Sequence, residues 1–153
     1  MQRLEEIWMI ISVGILVVFM LIIGYQTFAL GMGPPSHKEN IDPQHVEHTV
    51  PFDEPGVKEV GDNKYEVVMI LQSFAFTPSN IEIPVGAEVE FVMTSKDVTH
   101  GFQVAGTNIN AMVMPGHIQK ISHTFNEPGN YLVVCNEYCG IGHHAMSTTI
   151  TVK

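Results

Sequence analysis

A stretch of 24 residues near the N-terminus, Ile7–Leu30, contains no charged side chain and constrains this chain more than any other feature. A helix of this length is about 36 Å long, which is enough to cross a hydrocarbon layer of about 30 Å. A core helix of a soluble domain would have one polar face, whereas this stretch is apolar on all sides. Trp8 and Tyr25 lie near its two ends, where aromatic side chains suit a membrane interface. The sequence therefore predicts a membrane anchor over residues 1–36.

The alternative for this segment is a cleavable signal peptide. Such a peptide has an apolar region of about 7–15 residues that follows a basic segment. Here the apolar run is longer, and the only basic residue before it, Arg3, stands close to Glu5 and Glu6. A retained anchor is therefore favoured, although so few flanking charges do not set its orientation.

The composition excludes several classes of protein. Hydrophobic residues make up 45% of the chain and charged residues 15%, which excludes an acidic disordered tail. The net charge of −9, from 16 acidic and 7 basic residues, argues against nucleic acid as a partner. An acidic chain suits a cationic protein partner, although many acidic surfaces serve solubility alone.

The remainder of the chain changes character twice. Residues 37–60 are rich in Gly, Pro and polar residues and are interpreted as a linker or irregular arm. Residues 61–153 show no amphipathic helix and contain several short segments of strand-forming residues. These segments are Tyr65–Gln72, Ile81–Ile83, Ala87–Thr94, His117–Phe125, Asn130–Cys135 and Ser147–Val152. Short strands at this spacing predict an all-β sandwich or barrel.

The segment before the last predicted strand has the pattern Cys-x3-Cys-x3-His-x2-Met, formed by Cys135, Cys139, His143 and Met146. Sulfur ligands together with imidazole select copper over hard cations. A further histidine, His100, stands 35 residues before Cys135 at the edge of a loop. A blue-copper site uses one Cys, two His and a weak axial Met. The additional thiol here suggests a binuclear site bridged by both sulfurs.

Simpler explanations exist for the same residues. Cys135 and Cys139 could form a disulfide, but a disulfide leaves His143 and Met146 unexplained. A zinc site would accept two Cys and two His, but zinc rarely takes a methionine ligand. Taken alone, His100 would be an ordinary loop histidine.

The anchor and the C-terminal 90 residues resemble subunit II of the haem–copper cytochrome c oxidases. The resemblance is carried by SFAFTPSNIEIPVGAEVEFVMTSKDVTHGFQVAGTNIN, EPGNYLVVCNEYCGIGHHAM and STTITV. It implies a cupredoxin-like Greek-key sandwich that carries the binuclear copper A centre. The implied ligands of the two copper ions are the bridging thiolates of Cys135 and Cys139, His100 and Met146 on one copper, and His143 with the backbone carbonyl of Glu137 on the other.

The resemblance also implies a role in electron transport. The copper domain would lie on the outer face of the cell membrane, take electrons from cytochrome c and pass them to haem in subunit I, which reduces oxygen to water. The single predicted anchor resembles the B-type branch, where a small single-helix subunit supplies a second helix. No catalysis is expected from this chain alone.

One departure from the family concerns the place where electrons would enter. Commoner members have a Trp there, whereas Trp8 in the anchor is the only Trp of this chain. Phe74 and Phe76 are possible substitutes, although both are equally explained as core aromatics. His144, next to a predicted ligand, could face a partner.

Two other functions fit a copper site of this kind. A nitrous oxide reductase has a copper A domain, but it needs a large propeller domain for which 153 residues leave no room. A membrane-tethered copper carrier would need an exposed, labile site, whereas the apolar NYLVVC segment that leads into the loop predicts a buried one.

Overall fold

The apolar N-terminal stretch forms one long helix. The structure is a computed structural model, and it describes residues 2–30 and 39–153. Helix α1 spans Gln2–Ala29, and among those residues it is the one helix long and apolar enough to cross a membrane. Its apolar side chains are exposed all round. Such a helix is stable in lipid, where apolar side chains need no protein cover.

The rest of the described chain is built from ten strands. They are β1 (Gly56–Gly61), β2 (Lys64–Gln72), β3 (Ala75–Thr77), β4 (Asn80–Ile83), β5 (Glu88–Ser95), β6 (His100–Val104), β7 (Asn110–Val113), β8 (Gln119–Thr124), β9 (Gly129–Val134) and β10 (Ser147–Val152). One sheet has the order β1-β2-β5-β8, with β3 paired to β2, and the other has the order β4-β10-β9-β6-β7. The β2–β5 and β4–β10 pairs are parallel, and the other pairs are antiparallel.

The core lies between the two sheets and is rich in aromatic side chains. The ring of Phe91 lies 5.3 Å from that of Phe102 and 6.4 Å from that of Phe125, measured between centroids. All three side chains are at most 1% exposed. The first pair is tilted and the second packs edge to face, and aromatic contacts of this kind stabilise a sandwich core beyond the area they bury. The prediction of an all-β sandwich is confirmed.

All six predicted strands are present, and four further strands were not predicted. β3, β6 and β7 contain at most five residues each, too few to show a periodic pattern. The sequence predicts an irregular arm up to residue 60, and that prediction was wrong for residues 56–60, which belong to β1. Glycines and charges make this segment a weak strand by composition. It pairs with β2 because a tight turn at Asp62 and Asn63 folds it back, with Asn63 at φ 58°.

The arm before β1 packs as part of the domain. The chain divides into two compact units, Met1–Pro34 and Pro35–Lys153. In the second unit, Ile41, Val46 and Phe52 are buried against the outer face of the β1-β2-β5-β8 sheet, in a second hydrophobic cluster with Val68, Ile70, Val92 and Ile118. The arm is irregular apart from one short 3-10 turn, but it covers apolar surface and is not a free linker. The predicted boundaries at residues 36 and 60 stay predictions.

Candidate metal centre

Two segments at one end of the sandwich bring the predicted ligands together. Residues 135–146 form the connection from β9 to β10, and its base is closed by a hydrogen bond from the Cys135 backbone N–H to the Met146 carbonyl at 3.1 Å. His100 is the first residue of β6 and is completely buried. One ligand atom from each of His100, Cys135 and Cys139 lies within 4.8 Å of the others.

The two thiols face one another without forming a disulfide. Their Sγ atoms are 3.8 Å apart, and both cysteines are free and 7% exposed. A disulfide would need about 2.05 Å. Burial, followed by the hydrogen bond and the charge of Cys135, raises the pKa of the Cys139 thiol to about 11. Without an ion this thiol therefore keeps its proton, and a metal that binds here must displace it.

Each thiol is also close to further donor atoms. The Cys135 thiol donates to the backbone carbonyl of Glu137 at 3.2 Å, and its Sγ lies 3.9 Å from Nδ1 of His100. Sγ of Cys139 lies 3.5 Å from Nδ1 of His143 and 3.7 Å from Sδ of Met146.

This donor set fits copper. It combines two thiols, two imidazole nitrogens, one thioether and one carbonyl oxygen, which are ligands suited to Cu(I) and Cu(II). Met146 is 2% exposed and directs its sulfur at Cys139, an arrangement that zinc would not use. The six predicted ligands lie together at one end of the sandwich.

A carboxylate orients His100 from the side away from the thiols. Nε2 of His100 lies 2.8 Å from Oδ1 of Asp97. The other oxygen of Asp97 accepts hydrogen bonds from the Ser73 backbone N–H at 2.7 Å and from the Ser73 hydroxyl at 2.6 Å. Partial burial raises the pKa of Asp97, but the hydrogen bonds from Ser73, His100 and Val98 together hold it well below its usual range. With Nε2 donating to this carboxylate, Nδ1 carries no proton and is the ring nitrogen available to a metal.

Asp97 has no predicted role from the sequence alone. The signal that could have identified it is an acidic residue three positions before a candidate ligand histidine. Carboxylates commonly accept the second ring N–H of metal-binding histidines.

The three side chains suggested for electron uptake lie in different environments. Phe74 is 40% exposed, and its ring lies against the metal loop, since a Cβ on Gly142 would be 2.4 Å from its Cδ2 atom. His144 is exposed. Phe76 is 3% exposed and packs edge to face on Phe102 at 6.1 Å. Phe76 is therefore a core aromatic that presents no surface to a donor, because alternation along β3 turns it inward.

Comparison with known proteins identifies similar sequences and structures. Residues 64–153 match the family model described as "Cytochrome C oxidase subunit II, periplasmic domain". The chain is 42% identical over 153 residues to a cytochrome c oxidase subunit 2 from Thermus thermophilus, covering 97% of this chain and 91% of the relative. A second Thermus thermophilus protein of that name is 43% identical over 129 residues, covering 83% of this chain and 96% of the relative.

Solved structures agree with these matches. A haem-copper terminal oxidase dimer determined by cryo-EM contains a chain that is 33% identical, with a TM-score of 0.80 and coverage of 97% of this chain and 99% of that chain. The periplasmic domain of subunit II of cytochrome oxidase from Bradyrhizobium japonicum is 17% identical, with a TM-score of 0.54, and covers 57% of this chain and 83% of that chain. At that identity, the second match supports the cupredoxin-like fold alone.

Proposed function

This chain belongs to the cytochrome c oxidase subunit II family, and from that membership we propose that it carries a binuclear copper A centre that receives electrons for a haem–copper oxidase. It is a membrane-associated, copper-binding subunit of an oxidoreductase complex, as its relatives and its apolar helix indicate.

The observation that carries the proposal is the pair of buried thiols, each of which faces an imidazole nitrogen. Cys135 and Cys139 would bridge both copper ions. His100 and Met146 would complete one copper site, and His143 with the Glu137 carbonyl would complete the other. When bound, a copper pair of this kind stores and releases one electron that is shared between the two ions.

The protein would hold these donor atoms in fixed positions and exclude water from them. The loop is tied to β9 at one end and to β10 at the other, and Met146 and both cysteines are buried. Little movement between oxidation states favours rapid electron transfer. The apolar surroundings and the thioether of Met146 would tune the reduction potential.

Electrons would arrive at the exposed side of the loop. Phe74 and His144 lie there, beside Tyr138 and Ile141, which are 78% and 92% exposed. These groups would form the contact surface for cytochrome c. The net negative charge of the chain supports a cationic donor, whose association would slow as salt rises.

The electron acceptor would be subunit I of the oxidase. Electrons would pass to its haem, for oxygen reduction to water and the proton translocation coupled to it. The anchor would cross the membrane once and place the copper domain on the outer, periplasmic or extracellular face. A small single-helix subunit would supply a second helix. Residues 1–36 would serve as the anchor, and residues 37–60, which include most of β1, would pack as an arm on the copper A domain of residues 61–153.

Copper analysis of the full chain in detergent tests the binuclear site. The wild-type chain should bind two copper ions at saturation. Replacing either bridging thiol, as in Cys135→Ser, should leave at most one copper. Glu137→Gln is the matched control, since it keeps the backbone carbonyl and should keep both ions. A wild-type chain that saturates at one copper, or a Cys135→Ser variant that keeps two with an unchanged visible spectrum, would contradict the proposal.

A further inference from the structure

The loop that carries Cys135 leaves β9 next to β6, at a point where the pairing of these two strands is short. Only Gln103 with Val134 and Val104 with Val133 are paired between them among the described residues. Continuing this antiparallel register by two residues sets Gly101 opposite Asn136. Residues 100–102 of β6 are not paired with the chain that follows β9. Other contacts must therefore hold the metal loop against this part of β6.

Gly101 makes room for one of those contacts. A Cβ at this position would lie 1.8 Å from Oδ1 of Asn136 and 2.7 Å from its backbone nitrogen. Gly101 lies within β6 and does not have the positive φ that would itself favour glycine. The close approach of Asn136 is therefore the physical reason for the absence of a side chain here.

The side chain of Asn136 reaches past β6 to the next strand. Its Nδ2 donates a hydrogen bond of 3.0 Å to Oδ1 of Asn110. Asn110 is the first residue of β7, which lies on the far side of β6 from β9. The Asn136 side chain thus crosses β6 over Gly101 and ties the start of the metal loop to β7.

Residues next to this contact supply the metal donors. Asn136 follows Cys135, and Gly101 follows His100. Successive side chains along an extended chain point to opposite faces of the sheet. A contact between Gly101 and Asn136 on the outer face therefore fixes the positions of the residues before them, which point inward. Those residues are His100 and Cys135, and Nδ1 of His100 lies 3.9 Å from Sγ of Cys135.

We propose that Gly101, Asn110 and Asn136 form a clamp that positions Cys135 against His100 and so sets the geometry of the copper that His100 binds. The inference rests on the proposed copper function of the site. The three clamp residues are positioning residues, because they act through the donors and not on the metal. His143, on the other side of the loop, would be little affected by them.

Asn110→Leu tests the clamp in the full chain in detergent. Leucine has a similar size but cannot accept the hydrogen bond from Asn136. Copper content should remain that of the wild type, while the paramagnetically shifted NMR signals of the His100 ring move more than those of His143. Copper release to a chelator should be about fivefold faster, the effect expected for one hydrogen bond. Asn110→Asp keeps an oxygen that can accept the hydrogen bond from Asn136, so this variant should have the signals and the copper release rate of the wild type.

Two matched controls separate the clamp from general changes in the sheet. Thr151→Val removes a 3.2 Å side-chain hydrogen bond to Asn130, at the opposite end of the same sheet, and should change neither the signals nor the rate. Gly101→Ala should shift the His100 signals further. Gly56→Ala, at a position where a Cβ meets nothing within 4 Å, should not shift them.

A copper-free measurement keeps the two proposals distinguishable. In the metal-free chain, through-space NMR contacts between the Asn136 side-chain amide and Gly101 should be present, and Asn110→Leu should remove them. If the wild type bound only one copper, the proposed function would fail while this result could still stand. If Asn110→Leu left the His100 signals, the copper release rate and these amide contacts unchanged, the clamp would be overturned.

Discussion

Nε2 of His100 lies 2.8 Å from Oδ1 of Asp97, and the opposite ring nitrogen faces the Cys135 thiol. His100 is completely buried, whereas the Asp97 side chain is 35% exposed. The carboxylate is in turn held by Ser73, which follows β2. His100, a predicted ligand on the second sheet, is therefore oriented by residues that extend from the first sheet.

Asp97→Asn should alter the copper site without removing it. The amide oxygen can still accept from Nε2, but the negative charge is lost. Since a nearby negative charge stabilises the more highly charged oxidised site, the reduction potential should rise. Copper affinity should fall about tenfold, as for other residues that orient metal-binding histidines. Voltammetry and a copper competition assay measure the two effects.

Asp62→Asn is the matched control for this charge change. Asp62 is exposed in the turn before β2. Asp97 accepts hydrogen bonds from Ser73, which follows the other end of β2, so the two carboxylates lie at opposite ends of this strand. The control should leave the potential and the copper affinity unchanged. An Asp97→Asn variant with a lower potential than the wild type would contradict the role given to the carboxylate.

The arm should be required for a stable soluble domain. A fragment that begins at residue 39 keeps Ile41, Val46 and Phe52 over the sheet and should be soluble and bind two copper ions. A fragment that begins at residue 56 exposes the apolar cluster beneath them, and should aggregate or unfold at lower denaturant. Size-exclusion chromatography and metal analysis compare the two fragments.

A single substitution in the longer fragment isolates the packing effect. Phe52 is completely buried, and Phe52→Ala should lower the free energy of unfolding by about 3–5 kcal/mol. Val50 is 76% exposed and serves as the control. Val50→Ala should change the free energy of unfolding by less than about 0.5 kcal/mol. Neither change should alter the visible spectrum of the copper-loaded fragment. Equal stability of the two variants would show that the arm does not contribute to the core.

Ile141 should contribute to the contact with cytochrome c. Its side chain is 92% exposed on the metal loop, where an apolar contact with a partner would bury it. Ile141→Gln should slow the second-order reduction of the copper site by reduced cytochrome c about tenfold, without changing the potential. Val85→Gln, 40% exposed in the turn before β5, should leave the rate unchanged. Stopped-flow traces that match the wild type for Ile141→Gln would place the contact elsewhere.

His123 should make the domain less stable in mild acid. It is half-buried on β8 and packs against Phe125 with ring centroids 4.7 Å apart. Burial lowers the pKa of His123 below its ordinary value of 6.5. The unfolded chain therefore binds the proton more readily, and the free energy of unfolding should fall as the pH drops below the ordinary value.

Urea unfolding at about pH 7.5 and about pH 5.5 measures this effect. His123→Gln should reduce the loss of stability between these two conditions. His48→Gln, at an exposed position in the arm, should retain the whole loss. An NMR titration in which His123 has a midpoint above 6.5 would contradict the sign of the effect.

The sequence predicted the parts of this structure that leave a local pattern. The apolar run of α1, the longer strands and the ligand spacing from Cys135 to Met146 all depend on neighbouring residues. β1 was missed because its pairing depends on a turn and a partner strand rather than on its own composition. The role of Asp97 and the contact between Gly101 and Asn136 were missed because they join segments distant along the chain, and only the packed sheets bring them together.

Cys135 and Cys139 are proposed to bridge two copper ions that share one electron. Electron paramagnetic resonance of the oxidised, copper-loaded chain tests it most directly, because hyperfine splitting reports how many copper nuclei the unpaired electron contacts. We expect a pattern from two equivalent copper nuclei, which is lost in both Cys135→Ser and Cys139→Ser. A wild-type spectrum with splitting from a single copper nucleus would contradict it.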